Sequence, residues 1–275
     1  MRNAHRWAIA LGIAAVAVVA VPIGIVAEFA ITQSVGRTTV VTESDGQERT
    51  VYWREYPGVS GLSIEETLNG PTAEDAYAAG ESMVADMRDA LTAEFGLEWA
   101  PDPFDDGTFD PFHENTQNWF GGESLLTLIN APTSQSTSIP TSWSDKQQVI
   151  EIMGEVAATY GFGVPVLDHE RDASLTDEDR IEQFGGATPD TQILTSGVIE
   201  GPTGQWLFFT LMDLSLDADG QFAERVAPSV GSGWQRNTIT LSYGANALLP
   251  EGNRAEFERR AQPFIGVPPP EPLET

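Results

Sequence analysis

The chain has 275 residues, no cysteine, and 14 Lys and Arg against 41 Asp and Glu, a formal net charge of −27 at pH 7. That length holds one sizeable domain or two small ones, and a hydrophobic content of 41% is ordinary for a chain that buries a real core. The charge excludes nucleic acid as a partner, because a phosphate backbone is held through clustered cations; the missing cysteines exclude disulfides, thiol catalysis, zinc–thiolate sites and lipidation through an N-terminal Cys.

The first element is an uncharged run of 21 residues from Trp7 to Ala27, closed by Glu28. At 1.5 Å per residue it spans roughly 30 Å, the hydrocarbon thickness of a bilayer, so a transmembrane helix is predicted over 7–27. Arg2, His5 and Arg6 precede it and the next basic residue is Arg37. That imbalance places 1–6 in the cytoplasm and the remainder outside a cytoplasmic membrane, on a single-pass anchor. The competing reading is a cleaved signal peptide, which the length of the run and Glu28-Phe29 at its end oppose. Without Arg2, Arg6 and Glu28 the chain holds 12 basic and 40 acidic residues, net −28, a charge read first as a solubility device.

Residues 32–61 read as a hairpin and linker. Thr38 to Glu43 and Glu48 to Arg54 alternate about Asp45-Gly46, a strong two-residue turn signal, and Pro57, Gly58 and Gly61 then break regular structure. The main domain is expected over 62–262. Thr72 with Asp75 resembles a capping box, Tyr77, Gly80, Met83, Val84, Met87, Leu91 and Phe95 share a helical face, and Gly96 ends that helix. Ser144 with Gln147 starts a second helix with Val149, Ile152, Met153, Val156, Ala157 and Tyr160 on one face and Gly161 at its end.

The apolar runs Leu125 to Ile129, Val164 to Leu167, Ile193 to Ile199, Leu207 to Leu216 and Ile239 to Tyr243 have strand length and Gly, Pro or Asp at their bounds. Each helix leads through a glycine into an extended segment, which predicts two helix-then-strand units side by side on one sheet. The fold class expected is therefore α+β: an antiparallel sheet with two amphipathic helices on one face, in the manner of an α/β plait, preceded by the transmembrane helix. Pro250 to Gln262 reads as a short charged helix, and 263–275, with Pro268-Pro269-Pro270, as an exposed Pro-rich tail.

The basic-then-apolar start, the stretch Ala90-Leu91-Thr92-Ala93-Glu94-Phe95-Gly96-Leu97-Glu98-Trp99 and the stretch Val156-Ala157-Ala158-Thr159-Tyr160-Gly161-Phe162 resemble the LppA-like lipoprotein family of actinobacteria over about residues 65 to 245. The resemblance implies an α+β domain of the cell envelope and brings no functional residues with it. The lipidated Cys of that family is absent, which leaves anchoring to the transmembrane helix.

For chemistry, the acid-dense stretch from Asp102 to Glu114 stands out. Asp102, Asp105, Asp106, Asp110 and Glu114 offer oxygens to a calcium ion, but their spacing matches no known cage, so the first reading is a solvated loop with Phe104, Phe109 and Phe112 tucked inward. Asp217, Asp219 and Gly220 overlay part of an EF-hand loop; Val226 stands where the bidentate Glu is needed, so a hairpin turn at Asp219-Gly220 is expected instead. No nucleophile elbow, Ser-x-x-Lys, His-Glu-x-x-His or phosphate loop occurs, and His113 and His169 each stand beside an acid as surface pairs do.

Residues 61–120 hold fourteen acids and one base, Arg88, and the same segment carries Phe104, Phe109, Phe112, Trp119 and Phe120. Acids interleaved with aromatics suit a contact surface for a basic protein or a cell-wall component. The function expected is a non-catalytic binding module with no cofactor. The alternative is a calcium-dependent or carboxylate-based envelope enzyme.

Overall fold

The computed structural model describes residues 36–103, 105, 108–114 and 117–273. The transmembrane helix expected over 7–27 lies outside them, and among the described residues no helix is long and apolar enough to cross a membrane. The expected fold class is corrected accordingly: the described chain is α+β with antiparallel sheets and no spanning helix. Its longest helix, Ala73–Phe95, fails as a span because it bears Glu74, Asp75, Glu81, Asp86, Arg88, Asp89 and Glu94.

The chain opens with an antiparallel pair, β1 (Thr38–Thr42) and β2 (Glu48–Tyr52), in which Thr38 faces Tyr52. Gly46, at φ +81°, supplies the left-handed turn, and Asp45 Oδ1 accepts from the Gln47 N–H at 2.9 Å. Helix α1 (Ile64–Asn69) starts on a reciprocal Ser63 and Glu66 cap. Helix α2 (Ala73–Phe95) runs from Thr72, whose side chain accepts from the Asp75 N–H, to a left-handed Gly96. Helix α3 (Trp143–Thr159) begins two residues earlier than the sequence suggests, because Ser142 rather than Ser144 is the cap and accepts from the Asp145 N–H.

Eight strands form the main sheet: β3 (Trp99–Ala100), β4 (Phe112–Glu114), β5 (Thr127–Asn130), β6 (Ser134–Ser136), β7 (Pro165–Leu167), β8 (Leu194–Glu200), β9 (Gln205–Met212) and β10 (Thr238–Leu248). Their order is β3-β6-β10-β9-β8-β7, and every pairing is antiparallel. β10 is long enough to take β6 along Thr240 and Leu241 and β5 from Gly244 onward, and β4 joins β5. The expected side-by-side arrangement of the two helix-strand units is corrected here. The strand after α2 is β3 and the strand after α3 is β7, and these lie at opposite ends of the order. The glycine junctions Gly96 and Gly161, both at positive φ, only release the chain from a helix; the partner strand is chosen by packing.

Helix and sheet meet through Met83, Met87, Leu91, Val149, Met153 and Ala157 on one side and Ile129, Ile199, Leu207, Phe209, Leu241 and Tyr243 on the other, all buried. Close approach is concentrated at Gly80, where a Cβ would lie 2.1 Å from the Tyr243 ring. Tyr243 Oη lies 2.8 Å from Ala76 O and 3.0 Å from Gln205 Oε1, and burial pushes its phenol well above the usual range. Lys146, the one lysine of the chain, is buried in the first turn of α3 and donates to Asp213 Oδ2 at 2.6 Å, with side-chain exposures of 4% and 1%. Burial alone would raise the Asp213 carboxyl, but donation from Lys146 and Ser215 outweighs it and holds the group below its ordinary value.

The connection from β7 to β8 carries α4 (Asp168–Arg171) and α5 (Asp177–Phe184), and that from β9 to β10 carries α6 (Gln221–Gly231). The hairpin turn expected at Asp219-Gly220 is instead the start of α6: Gly220 is left-handed, and the Asp217 carboxylate accepts from the N–H groups of Phe222 and Ala223 at 3.3 and 2.7 Å. The sequence DADG suits either turn, and only the following amphipathic stretch separates them. Helix α7 (Arg254–Ala261) occupies the place read as a short charged helix.

A second cluster joins the hairpin to the chain's end. Val51, Trp53, Tyr56, Phe120, Phe264 and Val267 bury one another, so the segment read as an exposed tail contributes two core residues and a backbone bond from Leu273 N–H to Trp119 O at 2.8 Å. Proline content predicts extended backbone, and extended backbone packs wherever an apolar side chain such as Val267 finds a slot.

Candidate interaction surface

The second cluster is organised around Asn118, which is fully buried. Its Nδ2 group donates to the carbonyls of Trp53 (3.0 Å), Arg54 (3.2 Å) and Tyr56 (2.9 Å), spreading two N–H bonds over three acceptors. Its Oδ1 accepts from the N–H groups of Phe120 (2.8 Å) and Gly122 (3.0 Å), and its own N–H donates to Gly122 O at 2.9 Å. One amide thus closes the 118–122 turn and ties it to the 3-10 turn Trp53–Glu55 after β2. Gly122 is required there because a Cβ would fall 1.6 Å from Arg54 O.

Trp119 sits at the crown of this turn at φ +65°, a left-handed conformation that an L-residue with a bulky side chain rarely adopts. The residue is 40% exposed, while the next one, Phe120, is 1% exposed with its ring centroid 5.2 Å from Trp53 and 6.0 Å from Tyr56. Phe264 completes the cage at 5.1 and 5.2 Å from the same two rings. Burial, assisted by the Glu66 charge, pushes the Tyr56 phenol up to about 12, so it stays a neutral donor to Leu62 O at 3.0 Å. The cage fixes Phe120 inward, and with the backbone so held the adjacent side chain is directed out.

The five aromatic residues singled out by sequence therefore separate. Phe120 belongs to the core. Phe112 is half-buried on α2, edge-on to Tyr77 at 5.4 Å. Phe109 is 40% exposed and stands edge-on to His113 at 6.4 Å, Trp119 is exposed, and Phe104 lies outside the described residues.

The acids separate as well. Asp102 Oδ2 accepts from the Thr133 N–H at 2.8 Å, tying its loop to the β5–β6 connection, and Asp110 Oδ1 accepts from the Phe112 N–H at 3.0 Å within its own loop. Asp105 and Glu114 are exposed, Asp106 is outside the described residues, and among those described no three His, Asp or Glu side chains gather as metal ligands would. Glu114 stands in β4, whereas Asp102 and Asp105 lie in a turn after β3, closed by the Asp105 N–H donating to Asp102 O at 3.2 Å.

Sequence reading missed Asn118 and Lys146. Nothing in Gln117-Asn118-Trp119 marks an amide with five partners, since three of those partners come from residues 53 to 56. Lys146 did carry a signal as a single lysine among amphipathic helix positions.

The chain matches no family model, no curated protein and no solved structure.

Proposed function

We propose that this domain is a non-catalytic interaction module that docks a basic partner through the Trp119 turn. The observation that carries the reading is a large exposed ring held on a left-handed backbone. Such a conformation costs about 1–3 kcal/mol and persists only where the surroundings enforce it, as Asn118, Phe120 and Gly122 do here. A turn kept for stability alone would place Gly or Asn at that position. The indole supplies the desolvated anchor that interfaces favour, and Glu114 and Glu123, exposed on either side of it in the chain, add to the field of a −27 protein that speeds encounter with a cation.

The test uses the full chain and its Trp119→Gly variant, in which the ring is removed and the backbone strain relieved. Binding of a panel of Lys- and Arg-rich peptides with one aromatic residue is measured by calorimetry at low and high salt. Binding that weakens with salt and is lost in Trp119→Gly supports the reading. Equal binding by the variant, or none by the native chain, overturns it.

A further inference from the structure

A separate surface lies on the face of the main sheet turned away from α2 and α3. Glu200 pairs with Trp206, Trp206 with Gly244 and Gly244 with Asn130, so these positions form one row across β8, β9, β10 and β5. Their strand neighbours Ile199, Leu207, Ala245 and Ile129 belong to the helix-side core, which puts the row on the opposite face. The adjacent row holds Val198, Phe208 and Ser242. Glu200 is the one charge in these rows, although 20% of the chain is charged.

The indole of Trp206 lies across Gly244: a Cβ there would be 2.2 Å from Cζ2 and 2.6 Å from Cη2. Glycine lets the ring rest on the sheet backbone, and the ring remains half-exposed. Glu200 and Asn130 are exposed at the two ends of the row, with no side-chain partner among the described residues. Ser242 Oγ, beside the ring, is already oriented by Thr133 Oγ1 at 3.0 Å.

We propose that this row is a binding site for a neutral glycan chain. A pyranose ring has an apolar C–H face that stacks on an indole and equatorial hydroxyls that lie in the ring plane, where a carboxylate at one side and an amide at the other receive them. Three strand spacings of about 4.8 Å set Glu200 and Asn130 roughly 14 Å apart, enough for more than one sugar ring along the row. A polyanion meets repulsion from Glu200 and the net charge, and a wholly apolar ligand would desolvate Glu200 and Asn130 without hydrogen bonds. The site uses no residue of the Trp119 turn, so it stands whether or not that turn binds a protein.

The experiment titrates the full-length protein with chitotetraose and cellotetraose, following indole N–H resonances and calorimetric heat. Expected is binding by at least one oligosaccharide that shifts the Trp206 resonance, is abolished in Trp206→Ala, and weakens roughly tenfold in Gly244→Ala, where the indole is lifted from the sheet. Glu200→Gln and Asn130→Ala, exposed positions that leave folding intact, are each expected to weaken it several-fold, and Trp119→Gly leaves it unchanged. No binding of either oligosaccharide, or binding that survives Trp206→Ala, overturns the proposal. Loss in Gly244→Ala counts toward it only if thermal unfolding of that variant matches the native chain; otherwise the Glu200→Gln and Asn130→Ala results decide.

Discussion

Replacing Asn118 by alanine removes the amide that holds the 118–122 turn against residues 53 to 56. Three carbonyls and two N–H groups lose a partner at a fully buried position. A buried group left unpaired costs about 1–3 kcal/mol. Losses around one shared amide do not add, so the expected loss is about 4 kcal/mol, below the sum for five groups. For a domain of this size that corresponds to a drop of roughly 10 °C in melting temperature. Asn118→Asp sharpens the test. It keeps acceptance from Phe120 and Gly122 but turns a carboxylate oxygen toward the carbonyls of Trp53 and Tyr56. At neutral pH it should therefore be at least as destabilised as the alanine variant, and it should recover part of the loss on acidification, when a protonated carboxyl can donate. Denaturant unfolding of the full chain with both variants is the assay. A loss below about 1 kcal/mol for Asn118→Ala would show that the turn is held by the Trp53–Phe120–Phe264 packing and that the argument from the amide is mistaken.

At Trp119 the usual ranking of alanine over glycine should invert: both substitutions delete the ring, but at φ +65° glycine is expected to be about 1 kcal/mol more stable than alanine, measured by urea unfolding. Lys146→Met leaves Asp213 buried without its cation and should cost about 3–5 kcal/mol, with the deficit shrinking as pH falls and Asp213 protonates. In the native chain the depressed Asp213 carboxyl gives stability that is present above its unfolded value and lost as pH falls through the folded one. His169 adds a second, higher window. Its side chain is 9% exposed, stands edge-on to Phe184 at 6.3 Å, and has Nε2 3.9 Å from Glu170, with Asp168 and Arg180 also acting on it. Burial lowers its basicity, so the unfolded chain binds the proton more readily and stability should decline as pH drops below about 6.5. His169→Phe should flatten that part of the pH profile, and an unchanged slope would remove His169 as its source.

Local sequence determined what local physics controls. Thr72 and Gly96 bound α2, the Asp45-Gly46 turn sets the register of β1 and β2, and five apolar runs become strands within a few residues of the expected bounds, because caps, turn glycines and β-branched stretches act on their neighbours. Burial of Met83, Met87, Val149 and Met153 was equally readable from helical spacing. Tertiary structure decided which elements meet. It sent β3 and β7 to opposite sheet edges, turned Asp219-Gly220 from a hairpin into the cap of α6, and drew Phe264 and Val267 into a cage with Trp53. It also split Trp119 from Phe120, one exposed and one buried, through hydrogen bonds from Asn118 to residues more than sixty positions earlier. Periodicity states that a side chain will leave water but not which surface will receive it. That choice belongs to long-range packing and to the few buried polar groups whose partners lie far away in the chain.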